Sequence, residues 1–239
     1  MAKQLLGDPE QVRCHGLTSA NSISIGRLLP QICYYAHAIS QLQRQTSMPI
    51  DVIVPTGNLG NALACILARD MGLPIGDVVL ATNANRALAD FFSGKDYRGR
   101  SGLTTLANAM DVGDPSNFER LAWFYRDRDL RQSGISAVSI DDETIRNRIQ
   151  RVHAELEMVI CPHTACGMEA LASRRAAGND RPHLVAATAH PAKFEQVVEP
   201  LLGIRIEPPA ALASLLARSN RADLISADYG DLAQRLRNL

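Results

Sequence analysis

Lysine is the scarce residue of this 239-residue chain: Lys3, Lys95 and Lys193 stand against 22 arginines. Any chemistry that needs a free amine has three candidates. Aromatic residues make up 5% of the chain, with one tryptophan, and the formal net charge is zero without a basic run. Neither stacking platforms nor a positive field is offered to nucleic acid or to an anionic membrane surface. No apolar stretch reaches the roughly 18 residues that span a bilayer, and MAKQLLGDPEQ lacks the apolar core of a secretory signal. A cytoplasmic protein is expected. The five cysteines (Cys14, Cys33, Cys65, Cys161 and Cys166) include no C-x-x-C pair, so reduced thiols buried as small hydrophobes are expected, without a disulfide or zinc framework.

What is there is a globular composition, 46% hydrophobic, and one informative segment. The apolar run Ile50 to Val54 meets Pro55-Thr56-Gly57-Asn58-Leu59-Gly60-Asn61, and a helical pattern begins at Ala62. A strand, a glycine loop and a helix start make an anion cradle: Gly57 and Gly60 can take positive φ and let backbone amides approach an anion, and the helix adds unpaired amides and the positive end of its dipole. A Walker A loop is excluded because no Lys-Ser/Thr follows Gly60, and a dinucleotide fingerprint because two glycines stand alone and Thr82-Asn83-Ala84-Asn85 brings no acidic residue to a ribose. A single phosphate remains, with the side-chain amides of Asn58 and Asn61 as added donors. The loop alone leaves this reading beside a plain turn capped by Asn61.

The surrounding pattern predicts an α/β fold with a mostly parallel sheet flanked by helices. Short apolar runs at Asp51 to Pro55, Asp77 to Ala81, Ala137 to Ile140, Met158 to Ile160, Leu184 to Thr188 and Ile204 to Ile206 predict strands. Helices are predicted over Ser22 to Gln43, with Pro30 kinking it or marking an early turn, over Ala62 to Met71, and from Asp141-Asp142-Glu143 to Leu156, with a capping box at Ser116 to Glu119. A pair of amphipathic helices should follow Pro208-Pro209.

An ordered set of motifs runs through the chain: Ser19-Ala20-Asn21-Ser22-Ile23, Arg27 to Tyr35, Thr56 to Asn61, Ala81 to Asn85, Thr105 to Val112, Asp141 to Thr144, Pro162-His163-Thr164-Ala165 and Thr188 to Phe194. In this set the chain resembles threonine synthase, a pyridoxal-phosphate enzyme family of the tryptophan-synthase-β-like fold. The resemblance implies that Gly57, Asn58, Leu59, Gly60 and Asn61 hold the phosphate of pyridoxal 5'-phosphate, and that the Thr188 hydroxyl, otherwise readable as a helix cap, faces the pyridine nitrogen. It implies conversion of O-phospho-L-homoserine and water to L-threonine and phosphate. Two departures stand out: Leu59 where the family has phenylalanine, and Pro30 inside a helix.

The larger departure is the family's lysine-bearing segment, which has no counterpart here. Lys3, Lys95 and Lys193 all lie in other contexts, so by resemblance the chain corresponds to the C-terminal half of such an enzyme, residues 1–239 forming the cofactor-phosphate domain with a helical tail from about 208. It is expected to be inactive alone and to need an N-terminal half in cis or in trans. A non-catalytic phosphate-binding or interaction protein on the same sheet is the alternative. No metal site is expected. His163, His190, Asp111, Asp114 and Glu119 read as packing, turn and capping residues, the Arg126 to Arg131 stretch as a solvated face, and no catalytic role is assigned to any of them.

Overall fold

The computed structural model describes residues 1–18, 21–22, 24–216, 218–219 and 222–238. Ser19, Ala20 and Ile23 of the first motif therefore lie outside the described residues. The chain divides into two compact units, one of Ile25–Pro208 and one of Met1–Ser24 with Pro209–Leu239. In the smaller unit are the helices α1 (Ala2–Leu6), α2 (Pro9–His15), α11 (Ala210–Leu216) and α12 (Tyr229–Arg237). Asp8 caps α2 by accepting the Glu10 and Gln11 amides, and its other oxygen accepts the Tyr229 hydroxyl at 2.6 Å.

The larger unit is built on a four-stranded, wholly parallel sheet in the order β3-β2-β1-β4, with β1 Ile50–Pro55, β2 Ile75–Thr82, β3 Ile135–Ser139 and β4 His183–Val185. Around it lie α3 (Ile25–Leu28), α4 (Ile32–Leu42), α5 (Gly60–Asp70), α6 (Ala87–Phe92), α7 (Asn117–Phe124), α8 (Asp142–Leu156), α9 (Pro162–Ala176) and α10 (Glu195–Leu202). Strand alternation sorts the core. Ile50, Val52, Val54, Val78 and Leu80 face α4 and α5 in one buried cluster, while Ile53, Val79 and Ala81 face α8, α9 and α10 in another. Sheet residues buried on both faces explain the unbroken Val/Ile runs of β1 and β2.

Pro30 does interrupt the predicted helix, as a 3-10 turn over Leu29–Gln31 between α3 and α4. Asp141 caps α8 through the Thr144 amide at 2.8 Å, which pulls its carboxyl below the usual range. Two predicted strands are absent: Met158 to Ile160 is irregular chain leading into α9, with Ile160 buried, and Ile206 gives its amide to Glu199 Oε1 at 2.8 Å instead of to a strand. β4 ends at Val185, short of Thr188. The Ser116 capping box also fails, because Ser116 makes no side-chain cap. All five cysteines are free, but Cys14 and Cys33 are exposed rather than buried. No described helix is long and apolar enough to cross a membrane.

Candidate functional site

From β1 the chain runs to β2 on one side, while β4 returns to its other side, so the sheet's topological switch point lies between β1 and β4. Ligands of open α/β sheets bind at the carboxyl ends of strands at such a point. The loop after β1 is Thr56 to Leu59; the segment after β4 is Ala186 to Thr188.

Thr56 continues the sheet by one bond, its amide donating to Ala81 O at 3.0 Å. The positive φ then falls on Leu59 (φ 62°, ψ 0°), not on Gly57 or Gly60. A left-handed leucine costs roughly 1–2 kcal/mol, and its almost fully buried side chain offsets that by packing into the core. Gly57 is required for a different reason: a Cβ there would stand 2.7 Å from the Met110 Cα. Because the cap residue Leu59 offers no side-chain acceptor, the amides of Gly60, Asn61 and Ala62 precede the first in-register bond of α5, Leu63 N to Leu59 O at 2.8 Å. Uncapped amides at the positive end of a helix suit a phosphate.

The two asparagines brace this loop. Asn58 Oδ1 accepts the Ser116 amide at 2.7 Å and its hydroxyl at 2.9 Å, and Asn58 O accepts Asn117 Nδ2 at 2.8 Å. Ser116 thus anchors the loop, which is why it does not cap α7. Asn61 Oδ1 accepts the Tyr35 hydroxyl, and both hydrogens of its amide are taken, by Gln31 Oε1 at 3.2 Å and by Tyr34 Oη. Burial raises the Tyr35 hydroxyl well above its ordinary pKa, so it stays a donor. The Asn61 amide, expected as a phosphate donor, is therefore committed to the protein, and the backbone carries the cradle. Gln31, Tyr34 and Tyr35 were not singled out from the sequence; only their place in the Arg27 to Tyr35 motif signalled them.

Behind the loop a polar network fixes the segment Thr105 to Asp111. Buried Asn83 donates through Nδ2 to Thr105 Oγ1 (2.8 Å), Asp111 Oδ1 (2.8 Å) and Ala107 O (3.2 Å), and its Oδ1 accepts from the amide and side chain of Asn85. Asp111 also accepts the Thr105 amide (3.0 Å) and hydroxyl (2.7 Å), which makes it structural. Asp114 accepts the Tyr97 hydroxyl at 2.8 Å, and Glu119 lies in the first turn of α7. His163 Nε2 accepts the Ala109 amide at 3.1 Å and its ring lies 4.7 Å from that of Phe194. His190 accepts the Ala192 amide at a 3-10 turn over Pro191–Phe194. Arg126, Arg128 and Arg131 are more than a solvated face, since each lies over an aromatic ring, of Trp123, Tyr125 and Phe91 respectively.

Lys95 is paired with Asp90 at 3.1 Å, together with Arg86 (3.1 Å) and Arg100 (2.5 Å), and the hydrogen bonds from Lys95 and Arg100 pull the Asp90 carboxyl down to about 2. Lys193 is exposed on the Pro191–Phe194 turn, and Lys3 lies within α1. Thr188 is exposed beyond β4. Among the described residues no group of His, Cys, Asp and Glu could hold a metal ion.

A parallel sheet with an uncapped amide cradle at its switch point defines an α/β protein with a site suited to an anionic ligand. Comparison with known proteins narrows this. The family model for pyridoxal-phosphate dependent enzymes matches residues 18–188, and that for the C-terminal part of threonine synthase matches residues 164–235. The chain belongs to the pyridoxal-phosphate dependent enzyme family. It is 36% identical to the threonine synthases of Serratia marcescens and of Escherichia coli K12, in each case over 100% of this chain and 55% of the relative. Among solved structures, threonine synthase from Escherichia coli superposes with a TM-score of 0.89 at 35% identity, and threonine synthase with pyridoxal phosphate bound, from Brucella melitensis, with 0.87 at 29%. Each comparison covers 99% of this chain and 54% or 56% of the other. The chain thus spans about half the length of the relatives it matches.

Proposed function

We propose that this chain is the cofactor-phosphate part of a cytoplasmic threonine synthase, converting O-phospho-L-homoserine and water to L-threonine and phosphate. The observation that carries the reading is the uncapped start of α5 at the β1/β4 switch point, in a chain similar along its whole length to threonine synthases. That similarity disfavours a non-catalytic binding module.

In this reading residues 1–239 act as one cofactor domain with a helical tail from about 208. The backbone of Gly57 to Asn61 holds the phosphate of pyridoxal 5'-phosphate, and the donor set fits it: neutral amides at a helix N-terminus, held in shape by Asn58 and Asn61. Leu59 contributes its backbone conformation rather than its side chain. Thr188 sets a neutral hydroxyl toward the pyridine nitrogen, which leaves that nitrogen without the charge a carboxylate would enforce. When bound, the cofactor supplies an electron sink. The amine that anchors it comes from the part of the relatives' length that this chain does not span, joined in cis or in trans; Lys95 is excluded by its pairing with Asp90.

The test is reconstitution. The chain is mixed with pyridoxal phosphate and with the N-terminal half of the Escherichia coli relative, reduced with borohydride, and the labelled lysine mapped while threonine is assayed. Threonine formation and labelling of the added half only in the mixture are expected. Specific labelling of Lys95 or Lys193, or a mixture that neither labels nor turns over, would overturn the reading.

A further inference from the structure

His163 is the second residue of α9 and is buried, with 8% of its surface exposed. Since Nε2 accepts the Ala109 amide, the ring is neutral and carries its proton on Nδ1, where it is buried and finds no hydrogen-bond partner among the described residues. Ala109 is the middle residue of the 3-10 turn Asn108–Met110, and Met110 is the backbone against which Gly57 is packed so closely that no Cβ fits. One imidazole nitrogen therefore reaches the anion loop through a single turn. A residue needed only to fill space against Phe194 would not require a nitrogen there.

We propose, resting on the reading that the loop holds the cofactor phosphate, that His163 is a positioning residue: its neutral Nδ1–H form clamps the Asn108–Met110 turn beneath Gly57, and protonation releases the clamp. Burial lowers the pKa of the ring, the positive end of α9 works in the same direction, and Asp111, on the turn side, is the charged neighbour that opposes them. From the Pro191–Phe194 turn it is the Phe194 ring that faces the imidazole. The clamp is closed near neutral pH and opens as the pH falls below the ordinary histidine range.

The experiment uses the 239-residue chain. Long-range nitrogen–proton NMR reads the imidazole tautomer, backbone amide shifts of Ala109, Met110 and Gly57 to Asn61 are followed through a pH titration, and pyridoxal phosphate binding is measured spectroscopically for wild type, His163→Gln and His163→Phe. Expected are an Nδ1–H tautomer, loop amides that move with the titration of His163, and pyridoxal phosphate affinity that falls about tenfold on protonation and in H163F. H163Q, which keeps an acceptor for the Ala109 amide, should bind as wild type does. An Nε2–H tautomer, loop amides that stay silent while the ring titrates, or H163F binding unchanged would overturn the clamp and leave the loop reading intact. Loop amides that follow the ring while pyridoxal phosphate binds at no pH, either to the chain or to its mixture with the N-terminal half of the Escherichia coli relative, would support the clamp and sink the loop reading. Thermal melts of both variants separate loss of the clamp from loss of the fold.

Discussion

The two ends of the sheet are built on opposite plans. At the amino edge Asp51, fully buried at the start of β1, accepts from Arg174 at 2.7 Å, Arg181 at 3.4 Å, Asn179 at 3.3 Å and the Asp77 amide at 2.9 Å. Arg174 reaches on to Asp77 at 3.0 Å and to His183 Nε2 at 3.2 Å. The cluster leaves no room, for a Cβ on Gly76 would stand 2.3 Å from Asp51 Oδ1. At the carboxyl edge Asn61 and Tyr35, and Asn58 and Ser116, also satisfy one another, but the amides opening α5 do not enter the exchange. Closing one edge with charge on charge while leaving backbone donors free at the other separates the group that holds the sheet together from the group available to a ligand.

The largest effect should come from breaking the closed edge. Asp51→Asn keeps the shape and removes the charge, leaving Arg174 and Arg181 with Asp77 as the remaining carboxylate of the cluster. Losing one partner of a buried pair costs about 3 kcal/mol. Urea denaturation at neutral pH should show that loss, while pyridoxal phosphate affinity of the folded fraction stays within about twofold of wild type, as additivity predicts for distant sites. A variant of normal stability with weakened binding would dissolve the distinction between the edges.

The converse substitution is Gly57→Ala. Its Cβ has nowhere to go, because the Met110 backbone rather than a flexible side chain stands in the way. Overpacking of this kind costs about 2 kcal/mol, less than the loss at Asp51, but here binding should fall too, by at least about tenfold, because the clash displaces the cradle itself. Equal affinity in the two proteins, read by absorbance titration, would show that the cradle does not hold the cofactor.

Much of this contrast was legible in the sequence, and the rest was not for definite reasons. β1, β2, α5 and α8 announce themselves because local signals agree: β-branched runs, a proline or aspartate at a boundary, apolar residues at helical spacing. Short apolar triplets such as Met158 to Ile160 do not, since a coil can bury Ile160 as well as a strand can. The loop's place was readable and its conformation was not. Two glycines drew the expected positive φ to themselves, whereas the left-handed residue is the leucine between them, held by burial that only the tertiary fold supplies. The same holds for Asn61, whose partner Tyr35 lies 26 residues earlier, and for Ser116, whose partner Asn58 lies 58 residues away. Local rules assigned both side chains to nearer backbone.

The smallest effect, and the finest test of the contrast, is the acid response of the closed edge. His183 has a side chain 1% exposed, donates from Nδ1 to Arg181 O at 2.6 Å and accepts from Arg174 at Nε2. Burial pushes its pKa below the usual 6.5, and the nearby guanidinium groups add to that, against the pull of Asp51 and the Arg181 carbonyl. The unfolded chain therefore takes up a proton at that position before the folded one does, so stability present above about 6.5 is lost as the pH falls toward the folded value. Asp90, Asp141 and Asp8 follow separately: their contributions are present above the ordinary carboxylate value of 3.8 and are lost as the pH falls below it, for Asp90 toward about 2. Melting temperatures across this range should fall in two steps. His183→Gln, which cannot take up a proton, should flatten the upper step without touching the lower one, and the part of the upper step that survives belongs to His163 beside the open edge. An upper step unchanged in H183Q would mean that the closed edge is indifferent to acid and that the pH response of the sheet lies wholly at its ligand-facing end.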